Sequence, residues 1–485
     1  MKPRTYWYLT LALAAGLAAC GDDDDDTPDA CEGAFPAAGC PTEIRESSRS
    51  VGPDNVEATF VTVRDFGQGT GTATWTNDNT YVLDGLVFVN EGQTLTIEAG
   101  TVIQGTEGEG EDASALVVAR GGTIVANGTA DDPIIFTSVV DETYSTPAGL
   151  VTTDNLEPSQ KGLWGGVIVL GRATLNSTPG TSAIEGIATS EERGAYGGSD
   201  DGDDSGTLRY VSIRHGGTDI GAGNEINGLT MGGVGSGTTV EYVEVYANSD
   251  DGFEWFGGTV NTKYLVSGFC GDDAMDYDEG WRGLNQFWVV YQSGDGDRGG
   301  EHDGGTEPET GTPFATPVIA NASYFGQGVD AGARLLTFRD NAGGKYYNSL
   351  FVGYGKGVDI EYVAGGQDSY QQFVDGNLAF ANNLLWEIGS DAFVLGGTEE
   401  DLAAAPADAQ ENLDVYFANN GNTTGTDPML NGGLVPAAGA MGIGDVFAGG
   451  DLDAAFFDDA DYKGAIAPGT TEPWAAGWTA TLDQL

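Results

Sequence analysis

The chain predicts an all-β fold, a parallel β-solenoid, on three observations. Short β-rich runs separated by Gly, Asp and Asn turns fill it from about Thr59, their spacing becomes nearly regular in the middle, and no long stretch carries helical spacing. The first runs are TYVLDGLVFVN, QTLTIEAGTVIQG, SALVVARGGTIVANG, DDPIIFTS and GLWGGVIVLGRA, which alternate or stay apolar. In the middle, VEYVEVY (240–246), TKYLVS (262–267) and QFWVVY (286–291) are each followed by an acidic or glycine-rich turn. NSDDGFEWFGG (248–258) and GDDAMDYDEG (271–280) echo one another, and Asp251 to Asp273 is 22 positions, one coil of a solenoid.

Further echoes follow at YYNSLFVGYGKGVDIEY (346–362) and ANNLLWEIGSDAFVLGG (381–397). An antiparallel sandwich would call for tight hairpin signals between paired strands, so a three-part coil fits better. The stretches IEAGTVIQG, GTADDPIIFTS, LWGGVIVLGRA and DDGFEWFGG resemble right-handed parallel β-helix proteins of the pectate-lyase-like superfold, in particular bacterial lipoproteins of poorly defined function. The resemblance covers most of residues 59–397 and implies a right-handed parallel β-helix; it carries fold and not activity. Residues 398–485 are expected to form an irregular C-terminal cap over the open end, with a short helix in TEEDLAAAPADAQENL and tryptophans at Trp474 and Trp478.

Residues 1–19 have the charges of Lys2 and Arg4, an apolar run too short to span a membrane, and small residues before Cys20, as in a secretory signal. Leu17-Ala18-Ala19-Cys20 resembles the lipobox of bacterial lipoproteins, which implies lipidation of Cys20 and attachment to a membrane. Gly21 after the cysteine, by resemblance to known sorting rules, points to the outer membrane, and the acidic run that follows resembles the tethers of surface-exported lipoproteins, with a periplasm-facing position as the alternative. Residues 20–58 then read as an acidic flexible tether opened by Asp22 to Asp26, with a local disulfide expected between Cys31 and Cys40 in an oxidising compartment. Cys270 ends an apolar strand and reads as a buried thiol.

The 485 residues carry 74 acidic against 19 basic side chains, a formal charge of -55. Such a surface repels phosphate backbones, so nucleic acid is excluded as a partner, and cations are favoured. Two histidines without metal-pair spacing exclude a zinc site of the usual kind, and no nucleophile elbow, phosphate loop or dinucleotide fingerprint is present.

In-register residues one coil apart stack about 4.8 Å from each other. Asp251 should therefore lie over Asp273, Asp250 over Asp272 and Glu254 over Asp276. Like charges that close raise each other's pKa unless solvated or neutralised, and Ca²⁺ is the simplest ligand for such an oxygen set. Solvated turn aspartates bonded to their own backbone are the competing account.

Two enzymatic readings share these residues. In a Ca²⁺-assisted uronate lyase, Arg282 or Arg214 would serve as base or anion clamp. NSDD, GDD, GEHDGG and Arg334 or Arg339 also resemble, loosely, the polygalacturonase motif series. That resemblance implies Asp250, Asp272 and Asp273 as acid/base carboxylates of an inverting hydrolase and His302 as helper, although Gly-His-Gly and Arg-x-Lys are not reproduced. Trp255, Tyr277 and Trp281, beside the acidic turns, suggest a non-catalytic alternative of sugar stacking, against which strand alternation would send part of them inward. The expectation is a calcium-stabilised binding or adhesion scaffold for extracellular polysaccharide or a cell-surface protein, ahead of an enzyme.

Overall fold

A computed structural model describes residues 42–485 apart from 154, 222, 223, 293, 306, 432, 433 and 440–445. The expected signal segment, the lipidation of Cys20 and the Cys31–Cys40 disulfide lie outside the described residues. No helix among the described residues is long and apolar enough to cross a membrane.

Parallel pairing begins where Thr59 meets Asn79 and continues coil by coil through two long sheets, one of nineteen strands and one of ten. The chain is therefore an all-β parallel β-helix. The smaller sheet stacks Leu86–Val89, Ala115–Val118, Val167–Leu170, Leu229–Gly232, Phe253–Phe256, Met275–Asp278, Arg298–Asp303, Arg334–Arg339, Lys356–Glu361 and Phe393–Gly396. Its side chains alternate with period two. Met231, Trp255, Tyr277, His302, Phe338 and Ile360 share one inward column, while Thr230, Glu254, Asp276, Glu301, Thr337 and Asp359 share the adjoining outward one.

Within the larger sheet each coil bends through a residue in the left-handed region. Tyr210, Tyr242, Tyr264, Phe287, Asn321, Asn348 and Asn382 all have φ between 47° and 61°. A β-carbon disfavours that conformation, so each bend depends on its neighbours. The aromatic members stack from coil to coil at centroid distances of 4.4, 4.3 and 4.9 Å, while Asn321 and Asn348 instead donate to the distant carbonyls of Tyr462 and Phe447.

Two boundaries differ from expectation. The segment expected as tether to residue 58 contains strand Glu43–Val51, which pairs antiparallel along its whole length with Val56–Arg64. The turn signal VGPDN at 51–55 makes this hairpin possible. At the other end, the region expected as one cap divides into two parts. Helix Ala409–Asn419 covers the last coil, with Leu413 buried, Phe417 edge-on to Phe393 at 5.0 Å, and Gln410 bonded to Phe393 O and Leu395 N.

Residues 446–485 instead run back along the outer face of the larger sheet as a strap. Backbone N–H groups of Phe447, Asp458, Ala465 and Thr481 donate to side chains of Asn348, Gln286, Ser323 and Glu244 at 2.7–2.8 Å. The face beneath is apolar, with Val266, Val289, Phe325 and Leu350 buried against Ala465, Ile466 and Ala475. Strands apolar on both faces need such a cover. Glu244, itself buried, accepts from Ser212 Oγ and from the N–H groups of Ala480 and Thr481. Glu244→Ala should release residues 480–485 at a cost of about 2–3 kcal/mol, since three donors lose their acceptor at about 1 kcal/mol each. Hydrogen exchange checks this: the Ala480 and Thr481 amides should lose protection while those of residues 253–278 keep it.

Candidate functional site

The acidic coils meet in the middle of the smaller sheet, at the strands Phe253–Phe256 and Met275–Asp278. Glu254 pairs with Asp276 in register, and Asp251 lies beside Asp273, whose N–H donates to Asp251 Oδ1 at 2.8 Å. Asp251, Glu254 and Asp276 each place a carboxylate oxygen within 4.8 Å of the other two. Oxygens bound 2.3–2.6 Å from one Ca²⁺ are spaced in this range. Asp276 Oδ1 is buried and accepts no hydrogen bond, while Glu254 accepts from Asn227 Nδ2. Among the described residues no Lys or Arg reaches the three at ion-pair distance, although ion pairs are frequent nearby.

Burial therefore dominates their protonation. It raises Asp251 well above the usual carboxylate range, with Asp273 and Asp250 adding repulsion. Glu254 is raised in the same way by burial, then by Glu185 and Asp251, and Asp276 by burial, then by Glu254 and Asp251. Such a set holds protons or a cation; it does not hold three bare charges.

The remaining acidic residues take other places. Asp250 and Asp272 form a second group with Asp251 toward solvent, and Asp272 and Asp273 a third with Asp297. Asp273 is buried and met by Arg298, whose Nη1 lies 3.3 Å from Oδ2 and whose N–H donates to Oδ1 at 2.7 Å. Burial, with Glu301 next, still pushes its carboxyl up to about 8 against Arg298. The six expected metal ligands are thus not one shell.

The expected aromatic platform does not exist at the surface. Trp255, Tyr277 and Trp281 are 0–1% exposed. Trp255 stacks on Trp281 at 4.4 Å and on Trp288 at 5.3 Å inside the coil. The reason is the strand period: with Glu254 and Asp276 outward, Trp255 and Tyr277 must point inward. His302 follows the same rule. It is fully buried, stacked on Tyr277 at 4.2 Å, with Nδ1 on Glu301 O and Nε2 on Tyr346 Oη at 2.8 Å. Burial depresses its pKa to about 3, so it is a neutral core residue and not a catalytic helper at a substrate. Arg282 donates to Gly280 O and pairs with Asp201 at 3.2 Å. The arginine at the acidic coils is Arg298, which bridges Asp273, Asp297 and Glu301.

Sequence reasoning missed Arg298 and Glu185. Glu185 belongs to an insertion between the strands Val167–Leu170 and Gly206–Arg214, which packs Leu175, Ile184, Ile187 and Tyr196 on the outer face of the sheet. Burial raises its carboxyl, Asn227 bonds it, and it is the strongest charged neighbour of Glu254. Tyr196 Oη donates to Glu279 at 2.7 Å and holds the insertion there. Ile184 and Ile187 in AIEGIATS are the one local signal of a docked loop; the partner of Glu185 has no local signature.

Comparison with known proteins gives one family: a model described as a pectate-lyase like beta helix domain matches residues 67–428. No curated protein and no solved structure matches the chain.

Proposed function

The chain belongs to the pectate-lyase-like β-helix domain family, and from that premise we propose that it is a non-catalytic, calcium-stabilised scaffold of the cell envelope that presents a β-helix to an extracellular glycan or cell-surface partner. The observation that carries the cation is the trio of buried Asp251 and Glu254 with half-buried Asp276, whose buried Oδ1 is unbonded; the three have no basic partner among the described residues. A divalent ion there would convert three mutually repelling groups into ligands, and it would also offset the repulsion that Glu185 exerts on Glu254. Attachment through lipid on Cys20, an outer-membrane location and exposure at the cell surface belong to the same proposal, supported by the N-terminal sequence.

Two features argue against turnover. The histidine assigned to hydrolysis is sealed in the core, and the arginine assigned to lysis is engaged by Asp201. Purified protein incubated with pectin or alginate should therefore generate neither unsaturated nor reducing ends, and measurable product lost in Asp273→Ala would replace this reading with an enzyme.

Millimolar Ca²⁺ added to chelator-treated protein should raise the melting temperature by several degrees, because binding to the folded state adds RT ln(1 + [L]/Kd) to stability. Asp276→Asn should abolish the rise. An equal melting temperature with Ca²⁺ and with chelator would refute the cation site.

A further inference from the structure

The strap holds two lysines of the sheet through carboxylates, and one of them also through an aromatic ring. Asp451 takes Lys345 at 3.1 Å next to Tyr347, and Asp458 takes Lys263 at 2.9 Å while the Lys263 ammonium sits 4.6 Å from the centre of the Phe456 ring. Beside these two clamps the strap and the sheet together line a cavity of about 530 Å³. Phe447 and Phe457 wall it, and the buried amides of Asn321 and Asn348 form its floor. Asp453, Asp459 and Asp461 stand at the mouth, and among the described residues none of them has a basic partner.

We propose that this cavity binds an aliphatic ammonium ion, as carried by a linear polyamine or by a lysine side chain. The cavity repeats the chemistry that already grips Lys263: carboxylates for the charged head with aromatic rings beside them for the cation and its methylene stem. Its volume lies in the range of small-ligand sites. The amides on its floor are occupied by the strap backbone, Asn348 with Phe447 and Asn321 with Tyr462, so the walls are held in place before a ligand arrives. The chain's charge of -55 raises the local concentration of any cation and speeds its arrival.

That same charge would bind polyamines diffusely, so the experiment separates a site from an ion atmosphere. Spermidine and a short oligolysine are titrated separately into the whole protein by calorimetry at about 0.15 M salt, where diffuse attraction is screened beyond about 8 Å. Saturable binding of one equivalent is expected, weakened at least tenfold in Asp459→Asn/Asp461→Asn and little changed in Asp330→Asn/Asp391→Asn, which removes the same charge from exposed turns elsewhere. The stronger of the two probes identifies the source of the ammonium group. Equal weakening in both double variants, or an isotherm without saturation, overturns the proposal, as does displacement of spermidine by Mg²⁺ at matched ionic strength. Because the calcium site lies on the other sheet, a failed calcium titration leaves this test intact.

Discussion

Trp255→Ala should cost about 3–5 kcal/mol, the usual range for truncating a buried large aromatic. The indole is fully buried and stacks on Trp281 and Trp288, so its removal leaves a void that strands fixed by coil register cannot collapse into. Urea titration followed by far-UV circular dichroism should show the midpoint falling, with the loss concentrated in the coils of residues 229–303, because each coil of a solenoid rests mainly on its neighbours. Trp255→Phe should recover part of the loss. A sugar-stacking platform would behave in the opposite way, with ligand affinity lost and stability kept, and that result would place the ring at the surface.

The metal-free protein should become less stable as pH rises from about 5 to 8. Asp251, Glu254 and Asp276 have pKa values raised above their ordinary range in the folded chain, so between the unfolded and folded values the native state holds more protons than the unfolded one. Stability changes with pH in proportion to protons bound unfolded minus protons bound folded, which is negative across this window, so stability falls as pH rises through it. Asp303 at about 7 and Asp273 at about 8 set the upper part of the window. Each unit separating folded from unfolded pKa is worth about 1.4 kcal/mol, so several such groups amount to several kcal/mol. Melting in chelator at stepped pH checks the sign. Glu254→Gln should flatten the slope and stabilise the chelated protein at pH 8, and Ca²⁺ should flatten it in the unaltered chain. A melting temperature that climbs from pH 5 to 8 in chelator would mean the three carboxyls ionise in the ordinary way.

The two expectations share a cause. Period-two alternation puts Glu254 and Asp276 on one side of the sheet and Trp255 and Tyr277 on the other, so the acidic ladder and the aromatic core are the two faces of the same strands. Both faces were legible in FEWF and MDYD. A site combining carboxylates and rings from those four-residue strands was not available to the chain, and the aromatic set had to serve packing.

Local spacing by itself determined the parallel solenoid, the 22-residue register that sets Asp276 beside Glu254, and the crowding of like charges at that turn. Those features depend on residues one coil apart, and a coil's length can be counted along the chain. Tertiary structure decided which carboxylates remain without a basic partner. Arg298 reaches Asp273 from the following coil and Glu185 reaches the Glu254 pocket from a docked insertion. It also decided that the last 40 residues lie along the larger sheet as a strap, because the backbone of that segment finds acceptors on Asn348, Ser323, Gln286 and Glu244, more than 90 positions away. Pairings of that kind depend on shape and distance after folding, which leave no periodic mark in the sequence.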